Sequence, residues 1–178
     1  MRIFIAINFN DQTKNRLGDT ALALKEFMRK GALTPIENLH LTLAFLGEVP
    51  EDRIYDVCRA MDDVHCPLFE LNFCQLGRFQ RGAEGLYWLG ITENQTLFEI
   101  QRRLIGQLQK RGVQPDRKAF RPHITLARRV VMNGAFNISD FNRQLPQIGQ
   151  QVYGISLMKS EQSHGKVCYT ELYFRKCD

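Results

Sequence analysis

Two short segments of this chain share one form, His40-Leu41-Thr42-Leu43 and His123-Ile124-Thr125-Leu126. They restrict the fold more than any other feature does. Alternation along a β-strand puts His and Thr on one face and the aliphatic residues on the other. Each segment is therefore a strand with an apolar back and a front that displays an imidazole beside a hydroxyl. Eight of the 178 residues are Thr, so two of four His followed by Thr two places on is a chance event of roughly one in a hundred. A lone copy reads as an ordinary half-buried strand. The pair reads as a two-histidine acid–base site.

The copies lie 83 residues apart, and sliding the chain by that distance aligns more than the motifs. Ile3-Phe4-Ile5 falls on Leu86-Tyr87-Trp88, Leu17 on Ile100, Leu41 on Ile124 and Ala44 on Ala127. Each half reads as strand, polar N-cap (Asp11 or Asn94), amphipathic helix, loop and His-x-Thr-x strand. Such spacing is the signature of an internal duplication. Approximate two-fold symmetry between the halves would bring both His-Thr pairs to one cleft.

Apolar periodicity predicts helices over 11–30, 51–64, 94–111 and 139–145. Strands are expected at 2–8, 39–46, 68–79, 85–91, 122–129, 151–160 and 167–176, with turns at 80–85 and 163–165. The expected class is α+β: two pseudo-symmetric lobes of largely antiparallel sheet with outer helices. The cleft between them carries both motifs, and residues 1–178 form a single bilobal domain.

Composition excludes several other classes. Hydrophobic residues make up 44% and charged residues 24%, which are globular values. The strand-like run from Ile3 to Phe9 is interrupted by Asn8 and followed by Asn10, so no signal peptide is expected. No apolar stretch approaches the ~20 residues of a membrane span. Cys58, Cys66, Cys74, Cys168 and Cys177 form an odd set without CxxC spacing, which predicts reduced thiols in a cytoplasmic protein. Neither C-x₂₋₄-C nor H-x₃₋₅-H clusters occur, so no metal site is expected. The net charge is +5, and six cations (Arg111, Arg117, Lys118, Arg121, Arg128, Arg129) face one anion, Asp116, across the second motif. That band points to an anionic partner such as phosphate.

Two imidazoles flanking one anion suit acid–base chemistry on phosphorus. One neutral His takes a proton from water while a protonated His gives one to the departing oxygen, each transfer contributing about 10²–10⁴-fold. The unperturbed imidazole pKa of about 6.5 lies near cellular pH and serves both jobs. The Thr hydroxyls can donate to the non-bridging phosphate oxygens, where charge grows.

With these residues in view, the chain resembles the 2H phosphoesterase superfamily, named for two His-x-Thr/Ser-x motifs. Within it, the bacterial RNA 2′,3′-cyclic phosphodiesterases, also called 2′-5′ RNA ligases, are the most similar. The likeness is carried by Arg2-Ile3-Phe4-Ile5-Ala6, by His40 through Gly47, by Arg121 through Arg128, and by the Ser156 to Tyr169 hairpin. It implies hydrolysis of RNA 2′,3′-cyclic phosphate ends to 2′-phosphomonoesters with no cofactor, metal or nucleotide, and a reverse 2′-5′ ligation. It also implies the roles: His40 as general acid, His123 as general base, Thr42 and Thr125 as phosphate holders. Chemistry alone does not order acid and base; that order comes from the resemblance. Arg128 joins the set as a phosphate contact only if its strand ends or bulges, because alternation sends a residue five past His123 to the other face. Expected partners are RNA with 2′,3′-cyclic phosphate ends or small cyclic nucleotides, met by a cytoplasmic monomer. Phe9, Phe45, Phe79 and Trp88 are candidates for stacking on a base, Ser160 and Tyr169 are open, and His65 and His164 read as surface histidines. The alternatives are a cyclic phosphodiesterase on small nucleotides such as ADP-ribose cyclic phosphate, a 3′ exonuclease, and a non-catalytic RNA-end binder.

Overall fold

A computed structural model describes residues Met1–Asp178. The apolar run after Arg2 forms strand β1 (Arg2–Asn8), with Ile3, Ile5 and Ile7 wholly buried. Helix α1 (Asp11–Lys25) follows and buries Leu17, Ala21 and Leu24. Its N-cap is Asn10 rather than the expected Asp11: the Asn10 side chain accepts from the Thr13 N–H, and Asp11 sits in the first turn. A residue there still complements the helix dipole but cannot cap it.

The helix is shorter than its periodicity predicts. Residues expected to complete it instead form strand β2 (Met28–Leu33). This segment pairs antiparallel with β6 (His123–Met132), and ladder hydrogen bonds outweigh weak local helix propensity. Strand β3 (His40–Glu48) carries the first motif, and helix α2 (Ile54–Asp62) follows a single 3-10 turn at Glu51–Arg53. Strands β4 (Phe69–Arg81) and β5 (Glu84–Ile91) form a hairpin. Helix α3 (Gln95–Lys110) is capped by Asn94 and buries Leu97, Ile100, Leu104 and Leu108, as expected. After β6 come the short helix α4 (Ile138–Arg143), β7 (Ile148–Val152), β8 (Gly154–Ser163) and β9 (Lys166–Lys176). The single strand expected over 151–160 is thus two. The chain leaves β4 through β7 and joins β1 through β8, crossing between sheets at Tyr153.

The sheets have the orders β3-β1-β8-β9 and β2-β6-β5-β4-β7, with every pairing antiparallel. Apart from β2, one order maps on the other: β3 on β6, β1 on β5, β8 on β4 and β9 on β7. The α+β class with two matching sheets is as expected. The alignment of β1 on β5 needs one correction. Asn8 faces His40 and Ala6 faces Thr42, while Gly90 faces His123 and Trp88 faces Thr125. The strands beside the motifs therefore match at an offset of 82, not 83, and a one-residue slip changes which face each side chain takes. At 82, Phe4 corresponds to Leu86, and both line the central cleft.

A core of 38 buried residues draws on both sheets and on the inner faces of α1, α2 and α3. The expectation of five reduced thiols is overturned. Cys66 and Cys177, 111 positions apart and both buried, are joined in a disulfide; Cys58, Cys74 and Cys168 are free. Spacing rules find local Cys motifs, and this pair is brought together only by the chain after β9 returning to the segment before β4, where the Asp178 N–H donates to the Cys66 carbonyl. No helix is long and apolar enough to cross a membrane.

Candidate active site

Each motif strand is anchored by the residues that alternate with it. Leu39, Leu41 and Leu43 are buried behind β3, as are Ile124 and Leu126 behind β6. His40, Thr42, His123 and Thr125 consequently face one cleft of about 660 Å³ between the sheets. Arg128 lines the same cleft. Its arrival there has a visible cause. In β3 the pairing to β1 skips Leu43, and in β6 the pairing to β5 skips Leu126. These matched β-bulges put Leu43 with Ala44, and Leu126 with Ala127, into the core together. Alternation is reset beyond each bulge, so Phe45 and Arg128, both five residues past their His, turn to the cleft.

Both imidazoles are held alike. His40 Nδ1 lies 2.7 Å from the carbonyl oxygen of Asn38, and His123 Nδ1 lies 2.6 Å from that of Arg121. A carbonyl only accepts, so Nδ1–H donates in both rings and Nε2 is left for chemistry. His40 Nε2 is 3.0 Å from Thr42 Oγ1; in the neutral ring it accepts from that hydroxyl. Aromatic rings wedge each imidazole. Phe4 and Tyr169 flank His40 at centroid distances of 4.8 and 5.2 Å. Phe79 and Trp88 flank His123 at 5.5 and 5.9 Å.

The electrostatics of the two rings differ. Burial pushes His40 down from 6.5 to about 4, only partly offset by the Asn38 carbonyl. The positive charges of Arg128 and Lys14 and the His123 ring push in the same direction as burial. On the protein's own groups His40 is therefore neutral near pH 7. Arg128 makes no hydrogen bond or ion pair with the protein, so the cleft presents an uncompensated positive charge beside the imidazoles.

Several cleft residues carried no signal in the sequence. Asn38 is buried and bridges two elements: its carbonyl holds His40 while its Nδ2 donates to the Val167 carbonyl at 2.8 Å. Arg2 sits over the Phe45 ring, 5.2 Å from its centroid. Thr34, Arg129 and Lys166 also line the cleft. Among the aromatic candidates, Phe45 lines it; Phe9 is packed on Phe73 in the core, and Phe79 and Trp88 act as walls behind His123. Ser160 and Tyr169, left open from sequence, are cleft residues. His65 and His164 are exposed and away from it. No group of three or more His, Cys, Asp or Glu side chains is arranged to hold a metal ion.

Comparison with known proteins adds an independent line. A family model described as the 2′-5′ RNA ligase superfamily matches residues 23–164. An RNA 2′,3′-cyclic phosphodiesterase of Archaeoglobus fulgidus is 30% identical over 129 residues, covering 72% of each chain. One from Thermotoga maritima is 32% identical over 136 residues, covering 72% of this chain and 70% of the relative. In three dimensions, Escherichia coli LigT complexed with 3′-AMP superposes with a TM-score of 0.82 at 26% identity, covering 99% of this chain and 97% of that one. With its two matched sheets, its motif-bearing cleft and these similarities together, the chain belongs to the 2′-5′ RNA ligase superfamily.

Proposed function

We propose that this cyclic phosphodiesterase opens RNA 2′,3′-cyclic phosphate ends by direct attack of water, leaving a 2′-phosphomonoester and a free 3′-hydroxyl. Its relatives carry the name RNA 2′,3′-cyclic phosphodiesterase, and the single observation that supports the mechanism is the pair of identically oriented imidazoles in one cleft. His123 Nε2 takes the proton from water as its oxygen attacks phosphorus. His40 Nε2 gives a proton to O3′ as the P–O3′ bond breaks. Thr42, Thr125 and Arg128 hold the non-bridging oxygens, where donors matter most as charge develops.

The protein's own groups leave His40 neutral near pH 7, yet a general acid must carry a proton. The substrate resolves this. An anionic phosphodiester beside the ring favours the imidazolium and raises its pKa, so His40 is charged as the substrate binds. With a 5′-hydroxyl in place of water the same steps join the two ends: His123 takes the hydroxyl proton as the P–O5′ bond forms, the P–O3′ bond breaks as His40 protonates O3′, and a 2′-5′ linkage results.

The test is turnover of a nucleoside 2′,3′-cyclic phosphate in EDTA, with product identification. Wild type is expected to give the 2′-phosphate, and His40→Ala or His123→Ala to lose about 10²–10⁴-fold in kcat. In kcat/KM against pH, one limb should lie near pH 4, the free-enzyme pKa of His40, and disappear in His40→Ala. That limb should move to higher pH in kcat. A 3′-phosphate product, or His variants as active as wild type, would remove this mechanism.

A further inference from the structure

Beyond the first bulge, each motif strand makes a second irregularity and places one residue in the left-handed region. In β3 that residue is Gly47, with φ 69°; in β6 it is Arg129, with φ 52°. For a residue with a Cβ this conformation costs roughly 1–2 kcal/mol, and glycine adopts it freely. By register Gly47 corresponds to Val130 and Arg129 to Leu46, so the left-handed residue falls one place earlier in β6, where it is a guanidinium and not a glycine. The consequence is geometric. Two consecutive residues, Arg128 and Arg129, both line the cleft, which a regular strand forbids. Arg129 is exposed and makes no hydrogen bond or ion pair with the protein, so nothing in the fold uses its charge.

We propose that Arg129 binds the internucleotide phosphate one step upstream of the cyclic phosphate, and so selects RNA ends over cyclic mononucleotides. This rests on the proposed function, in which Arg128 takes the reacting phosphate. Neighbouring Cα atoms are about 3.8 Å apart, and two extended arginine side chains diverging from such a pair can engage successive phosphates of one strand. A cyclic mononucleotide has a single phosphate and offers Arg129 nothing; an oligonucleotide end offers a second anion. The cation is also placed at the β2 edge of the cleft, since Arg128 pairs with Ala32, and Ala32, Leu33 and Thr34 line that side. The upstream strand therefore leaves along β2.

The experiment compares cytidine 2′,3′-cyclic phosphate with a cytidine dinucleotide ending in the same cyclic phosphate. The quantity read is the ratio of kcat/KM for the two substrates. Arg129→Gly is expected to lower the dinucleotide preference about tenfold, the loss of one charge-assisted contact. It should also reduce the salt slope of the dinucleotide reaction by about 0.7, one phosphate on a single strand. Arg129→Asn, neutral and tolerant of the left-handed region, should behave as Arg129→Gly does, and Arg129→Lys should recover most of the ratio. Arg128→Ala should depress both substrates alike. A ratio within twofold of wild type in both neutral variants would overturn the assignment of Arg129. Inactivity of the wild type towards both substrates would instead overturn the proposed function itself.

Discussion

Burial moves the pKa of His40 strongly. Its pKa in the fold is about 4, against about 6.5 in an unfolded chain. Between those values the unfolded chain binds more protons than the native one, so stability falls as pH drops from 6.5 towards 4. A shift of that size corresponds to a loss of about 1–3 kcal/mol. Urea unfolding at pH 7 and pH 4.5 should show this, and His40→Gln should flatten it. An unchanged slope in that variant would assign the acid sensitivity elsewhere.

At the scale of elements, strands β8 and β9 run beyond the edge of the sheet. The β1–β8 pairing ends at Lys159, while β8 and β9 continue to pair out to Ser163 and Lys166. The resulting two-stranded ribbon lines the cleft through Ser160, Lys166 and Tyr169. Asn38 ties it down by donating to the Val167 carbonyl, from the same residue whose carbonyl orients His40. Removing that donor in Asn38→Ala should cost about 1–2 kcal/mol, a fall of roughly 2–8 °C in Tm for a chain of this size. Amide exchange at residues 166–169 should quicken at the same time. Exchange identical to wild type would mean that the ribbon is held without Asn38. Met28 has the spacing of a helix face behind Leu17, Ala21 and Leu24, yet it begins β2, because β6 offers an unpaired edge there. No local rule contains that partner.

For the whole molecule, the Cys66–Cys177 disulfide closes a loop across most of the chain. A crosslink over 111 residues stabilises by about 2–5 kcal/mol, mainly by restricting the unfolded ensemble. Thiol titration of unreduced protein in denaturant should find three reactive cysteines of the five, and reduction should lower the unfolding midpoint. Five reactive thiols would show that Cys66 and Cys177 pack together without a bond. The two matched sheets set the other global property, a cleft with approximate symmetry and unequal halves. Positions that correspond across it hold Phe45 in one half and Arg128 in the other.

Alternation, apolar spacing and capping residues act between near neighbours, and they determined most strands, the presence of all four α-helices, the duplication and the four His and Thr residues that face the cleft. Leu41, Leu43, Ile124 and Leu126 sufficed to turn both motifs outward. Tertiary structure decided whatever depended on a distant partner. It chose the one-residue slip between β1 and β5, the strand at Met28–Leu33, the Cys66–Cys177 pair and the bulges that swing Arg128 into the cleft. Each of these is a hydrogen-bond register or a contact between segments far apart in the chain, and such pairings have no period to be read.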